Sequence, residues 1–117
     1  MKQPSRRAIT NRLDKIFSVL VRQRGFCKWC GKRDNLQACH IFSRANRSVR
    51  WDKFNVICMC AGCHFKAHQN PLEFTEFIKR IYTEKEYGAL IVRAHLIARW
   101  SIEELVNMEK ELKTNGL

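Results

Sequence analysis

No stretch of this chain stays apolar for anything near the roughly 20 residues that a bilayer-crossing helix requires. The opening residues, MKQPSRRAITNRLDK, contain no apolar segment of the kind a signal peptide carries. These two absences lead us to expect a cytoplasmic protein with no membrane partner. No repeat recurs along the 117 residues, which argues against a solenoid and for one domain, 1–117, near the lower limit of what a single core stabilises. Acidic side chains are also scarce: 11 Asp and Glu stand against 22 Lys and Arg, a formal net charge of +11. Such an excess attracts polyanions, and nucleic acids are the commonest polyanions of the cytoplasm. It also disfavours a protein-interaction adaptor.

Six cysteines are present, and without an export signal they point to metal before disulfides, because cytosolic thiols are kept reduced. Cys27-Lys-Trp-Cys30 and Cys60-Ala-Gly-Cys63 are two C-x2-C knuckles, each tight enough to present both sulfurs to one ion. The expected cofactor is a structural Zn²⁺ held by Cys27, Cys30, Cys60 and Cys63. A redox C-x-x-C is the alternative, but that motif normally occurs once, at a helix start. Cys58 lies two residues from Cys60 and could replace one ligand; we read it as a buried apolar thiol.

The residues able to do chemistry gather between Cys39 and His68, where three of the four histidines sit. Before that stretch, Ile9, Leu13, Ile16, Phe17, Leu20 and Val21 recur at helical spacing, so a basic helix is expected over 5–24, capped by Ser5 and ended by Gly25. Its basic side is either a solvated face or a phosphate-facing one. Short strands are expected over Leu36–Phe42 and Asn55–Met59, joined by a loop from Ser43 to Lys53. That loop carries Arg44, Arg47 and Arg50 at intervals of three, then Trp51 and Lys53, which suits a phosphate backbone or an ordinary solvated connection.

Beyond Cys63, a helical turn places His64 and His68 at i and i+4 on one face, so that two imidazoles can share an ion. Lys66 lies between them. Three scaffold helices are expected over 70–113. Asn70 precedes Pro71 as a cap; Thr83 with Glu86 and Ser101 with Glu104 form S/T-x-x-E capping boxes. Leu90, Ile91, Leu96 and Ile97 are the expected apolar residues of the middle one. His95 has no polar partner at helical spacing and is read as structural.

His40 at the end of one strand, Asn55 at the start of the next, and N-V-I-C-M-C-A-G-C-H running into a helix with His64 and His68 together resemble the HNH, or ββα-metal, nucleases. The H-I-F-S-R stretch, the N-x4-C-x2-C ending and the helical tail look like the phage NinG (Rap) recombination endonucleases. The resemblance implies an α+β, mainly helical fold. Its ββα-metal core (27–69) would be stapled by the four-cysteine zinc site, with an N-terminal helix before it and a C-terminal helical extension after it. It implies a metal-dependent endonuclease that hydrolyses DNA to 5'-phosphate and 3'-hydroxyl ends, with His40 as general base and Asn55 bracing the hairpin. The DNA would be double-stranded or branched, the compartment host cytoplasm for a phage-encoded chain, and a homodimer natural for a symmetric junction.

The family's residue before the base is usually Asp or His, and here it is Cys39. A thiolate binds Zn²⁺, Co²⁺ or Ni²⁺ readily and Mg²⁺ poorly. The expected catalytic ion is Mg²⁺, Mn²⁺ or a transition ion, and three cases follow: a transition ion held by Cys39, His64 and His68; Cys39 as no ligand, with the two histidines working with waters and substrate phosphate; or a degenerate site. A non-catalytic zinc-dependent nucleic-acid-binding module is the alternative function. It needs only the four cysteines and a basic surface, the latter supplied by Arg44, Arg47, Arg50, Lys53 and Lys66.

Overall fold

The structure, a computed structural model, describes residues 2–117. Helix α1 spans Arg6–Arg22, started by Ser5, whose Oγ accepts from the Ala8 amide at 3.1 Å. Its i, i+4 row of Ile9, Leu13, Phe17 and Val21 is wholly buried, which is the stripe the spacing demanded. The helix stops two residues short of 24, and Gly25 then makes the turn at φ +88°, a conformation only glycine adopts without strain.

Strands β1 (Leu36–His40) and β2 (Val56–Cys60) pair antiparallel, Leu36 opposite Cys60 and His40 opposite Val56. β1 ends before the expected Phe42 for a definable reason. The Phe42 amide donates to Asn55 Oδ1 at 2.8 Å, so a side chain takes over where a backbone rung would have continued. Every residue of β2 is buried because both faces are covered. Val56 and Cys58 pack on Phe17 and Val21 of α1, while Ile57 and Met59 face Ala67, Phe74, Phe77 and Ile78.

Helix α2 (Ala61–Gln69) follows β2 with no intervening loop, since Cys60 is its N-cap and its sulfur accepts from the Cys63 amide at 3.4 Å. The second knuckle is therefore the strand-to-helix junction, and Cys63 lies on the helix. α3 (Pro71–Ile81) begins at Pro71, but Asn70, expected to cap it, makes no side-chain capping bond. α4 (Glu84–Ala94) and α5 (Ile102–Asn115) both open on complete capping boxes, from Thr83/Glu86 and Ser101/Glu104.

Leu96 and Ile97 do not belong to α4. They lie beyond its end, 61% and 87% exposed, because His95 terminates the helix, its Nδ1 meeting the Ile91 carbonyl at 2.8 Å. α5 lies against α1 through Leu105 and Leu112, and Arg12 grips Glu109 with two hydrogen bonds of 2.8 and 2.7 Å. The fold is thus mainly helical α+β: a two-stranded ribbon held between α1 and the α2–α3 pair, with α5 buttressing α1.

Candidate metal centre and histidine cleft

The four knuckle cysteines converge. Cys27, Cys30, Cys60 and Cys63 place their sulfurs within 4.8 Å of one another, a group that could hold a metal ion such as zinc. Cys30 Sγ and Cys60 Sγ are 3.7 Å apart, and a tetrahedron with metal–sulfur bonds near 2.3 Å has edges of ~3.8 Å. Backbone amides aim at the sulfurs, Cys30 N at Cys27 Sγ (3.5 Å) and Cys63 N at Cys60 Sγ, as anionic thiolates require. Burial acts to raise the Cys27 thiol, but hydrogen bonds from the backbone amides of Cys30, Cys60 and Trp29 and from the Cys30 thiol together outweigh it and bring it down to about 6. Cys63 is pushed up, by burial first and then by hydrogen bonds to its three neighbours. Gly31 closes the first knuckle at φ +85°, and Trp29 stacks on Phe77 at 4.7 Å, docking the knuckle on α3.

Cys58 lies outside this cluster, as expected. It is 2% exposed, and its thiol is raised by burial.

A second feature opens along the outer edge of β1. This cleft of about 670 Å³ is walled by α1 on one side and by α2 and α3 on the other. His40 enters it from the α1 face, His64 and His68 from the α2 face, and Arg44, 62% exposed at its side chain, stands at its rim. The two α2 rings lie 5.0 Å apart, tilted by 34°. His64 Nδ1 meets Gln37 Oε1 at 2.7 Å; the amide oxygen can only accept, so Nδ1 carries the hydrogen and Nε2 keeps its lone pair. Burial lowers the His64 pKa and its neighbour His68 lowers it further.

The same logic fixes His40. Its Nε2 lies 3.1 Å from the Arg50 carbonyl, so Nε2 donates and Nδ1 is the basic atom. Burial depresses the His40 pKa, with the charges of Arg44 and Arg50 adding to the effect, while the Arg50 carbonyl and Asp14 oppose it. The net effect favours the neutral imidazole of His40.

Three residues hold that arrangement. Asn55, fully buried, donates from Nδ2 to the carbonyls of Phe42 and Val49 at 3.0 Å each and accepts from the Phe42 amide, stapling both ends of the loop. Asp14 on α1 accepts from Arg50 Nη2 (2.6 Å), Arg50 Nε (3.0 Å) and Trp51 Nε1 (3.0 Å). It thereby fixes the segment whose carbonyl orients His40. Gln37 sets the His64 tautomer. Neither Asp14 nor Gln37 was singled out from sequence. Period-two alternation does place Gln37 on the Cys39 face, whereas nothing local links Asp14 to residues 36 and 37 positions away.

Several expected site residues are placed elsewhere or otherwise engaged. Cys39 borders the cleft but is 1% exposed, and burial pushes its thiol up to about 12. It forms no three-ligand group with His64 and His68; among the described residues the knuckle cysteines form the only such group. The Arg50 guanidinium is spent on Asp14 and its side chain is 15% exposed. Lys66 pairs with Glu73 at 2.9 Å and sits over Trp29. Arg47 is exposed, and Lys53 lines a different cleft. Compared with protein-family models, with curated proteins and with solved structures, the chain gives no match.

Proposed function

We propose that the protein is a metal-dependent endonuclease of the HNH, or ββα-metal, kind, that its four-cysteine cluster holds structural zinc, and that its histidine cleft hydrolyses DNA phosphodiester bonds. The observation that carries this reading is the convergence of His40, with Nδ1 left basic, and the His64–His68 pair in one cleft rimmed by Arg44. A neutral histidine whose other nitrogen is tied to a carbonyl is suited to be a general base.

In the proposed step, His40 Nδ1 takes a proton from water as its oxygen bonds to phosphorus. The bond from phosphorus to the 3'-oxygen breaks, that oxygen gains a proton from solvent, and 5'-phosphate and 3'-hydroxyl ends result. His64 and His68 are the residues that would hold a divalent ion, whose chemistry is Lewis-acid stabilisation of the phosphoryl charge. Imidazole ligands favour Co²⁺, Ni²⁺ or Zn²⁺ over Mn²⁺ and Mg²⁺, so this ranking is expected with Cys39 remaining a buried thiol. Arg44 and Arg47 contact phosphates, while Arg50 and Asn55 position the base without touching DNA. A branched recombination intermediate is a natural substrate for such a chain, and a homodimer would offer it two such clefts.

The test is cleavage of supercoiled plasmid and of a four-way junction, with Mg²⁺, Mn²⁺, Co²⁺, Ni²⁺ and Zn²⁺ supplied in turn. Cutting with 5'-phosphate ends is expected, transition ions leading. DNA binding without cutting under every ion would instead assign the protein as a zinc-dependent nucleic-acid-binding module.

A further inference from the structure

A second cleft, of about 520 Å³, lies beside the outer edge of β2, where the Cys58 carbonyl accepts from the Lys28 amide at 2.8 Å. It shares no lining residue with the histidine cleft. Its floor is Ile57 and Cys58 of β2 with Ile81 from the end of α3, and its volume lies in the range of small-ligand sites. One wall is rigid: the Tyr82 hydroxyl donates to the Phe54 carbonyl at 2.7 Å, and the two rings meet edge to face at 5.7 Å. The other wall is Phe26, 43% exposed beside the zinc knuckle, which stacks on no other aromatic ring among the described residues.

Charge on this cleft is of one sign. Arg24, Lys28 and Lys53 line it and no carboxylate does. Arg24 is committed to the carbonyls of Val56 (2.8 Å) and Lys53 (3.3 Å), which secures the segment carrying Lys53. Lys28 and Lys53 form no ion pair among the described residues. An open aromatic face flanked by unpaired cations is the chemistry that binds single-stranded nucleic acid, where bases stack and phosphates meet lysines. A duplex keeps its base faces inside the stack and cannot use Phe26. We propose that the β2-edge cleft is a single-stranded nucleic-acid site, taking an unpaired base against Phe26 and the adjoining phosphates at Lys28 and Lys53. The site does not depend on the histidine cleft being catalytic.

The experiment is fluorescence anisotropy of the zinc-loaded 117-residue chain with a labelled oligothymidylate and with a labelled blunt duplex, no other divalent ion being added so that cutting does not enter. Phe26→Ala is expected to weaken oligothymidylate binding about tenfold and to leave duplex binding within twofold. Phe26→Tyr, which retains a stacking face, is expected to bind like the wild type. The Lys28→Ala/Lys53→Ala double variant is expected to flatten the slope of log K against log salt by about 1.4, at 0.7 per single-strand phosphate contact. Unchanged oligothymidylate binding in Phe26→Ala, equal losses for both nucleic acids, or a loss in Phe26→Tyr matching that in Phe26→Ala each overturns the proposal.

Discussion

Replacing Asn55 by alanine removes a side chain with no solvent exposure and three hydrogen bonds, to the Phe42 amide and to the Phe42 and Val49 carbonyls. A buried backbone group left without a partner costs about 1–3 kcal/mol. Three are orphaned together, and partial access of water at Phe42 reduces the total, so the loss should be about 3–4 kcal/mol. Against the roughly 6–18 kcal/mol expected of a chain this long, that is a substantial fraction. Asn55→Asp sharpens the argument. Near-isosteric, it keeps the acceptor towards the Phe42 amide but turns the two donated bonds into a carboxylate facing two carbonyls. Burial raises the pKa of such a group, and its protonated form regains one donor. The Asp variant should therefore be less stable than wild type at pH 7 and recover part of the difference as pH falls towards 4, the opposite of ordinary acid denaturation. Urea titrations of the three proteins at pH 7 and pH 4 read this directly. A loss below 1 kcal/mol for Asn55→Ala, or an Asp variant whose deficit does not shrink with acid, would refute the reasoning.

Chelating the zinc proposed for the cysteine cluster should abolish the ordered segment from Cys27 to Cys63, since structural zinc in small modules contributes on the order of 10 kcal/mol and a lone hairpin is marginal in water; helical circular dichroism from α1 and α5 should persist in part. An unchanged thermal melt after complete metal removal contradicts this. Asp14→Asn removes the charge that holds Arg50 and Trp51 and should cost about 2 kcal/mol; cleavage should slow while zinc content stays constant, and equal activity would show that the Arg50 carbonyl is held without it. The His40 pKa is depressed by burial, so its basic form is favoured at neutral pH. Cleavage should fall with acid along a limb centred below the ordinary 6.5. An acid limb centred above 6.5 would assign the titration to another group.

The parts of this molecule that were legible in its sequence are those fixed by short-range spacing. Two C-x2-C motifs predict one shared four-sulfur site, and the four sulfurs lie within 4.8 Å of one another. The α1 stripe and the Thr83 and Ser101 boxes were equally plain, because i, i+4 burial and N-cap chemistry act within one or two turns. Residue type alone misled in places. Asn70 has the right type for a cap yet makes no capping bond, and Leu96 and Ile97 continue an apolar pattern after His95, bonded to the Ile91 carbonyl four residues back, has closed the helix. Arg50 looked like a phosphate contact because an exposed loop was assumed, whereas Asp14, 36 residues earlier, claims its guanidinium. The β2-edge cleft was invisible for the same reason, since the turn after α1, residues 53 and 54 and the end of α3 meet only in three dimensions.

DNA cutting by the histidine cleft is read by single-turnover cleavage of an end-labelled substrate. Wild type, His40→Ala and the His64→Ala/His68→Ala double variant are compared, each confirmed to carry one zinc and to bind DNA alike. Metal-dependent cutting by the wild type is expected, with a loss of at least about a hundredfold in His40→Ala, the lower end of what a general base contributes. The double variant should be inactive at ion concentrations that saturate the wild type. Cutting by His40→Ala at the wild-type rate, with its metal dependence intact, would contradict the nuclease reading of the cleft.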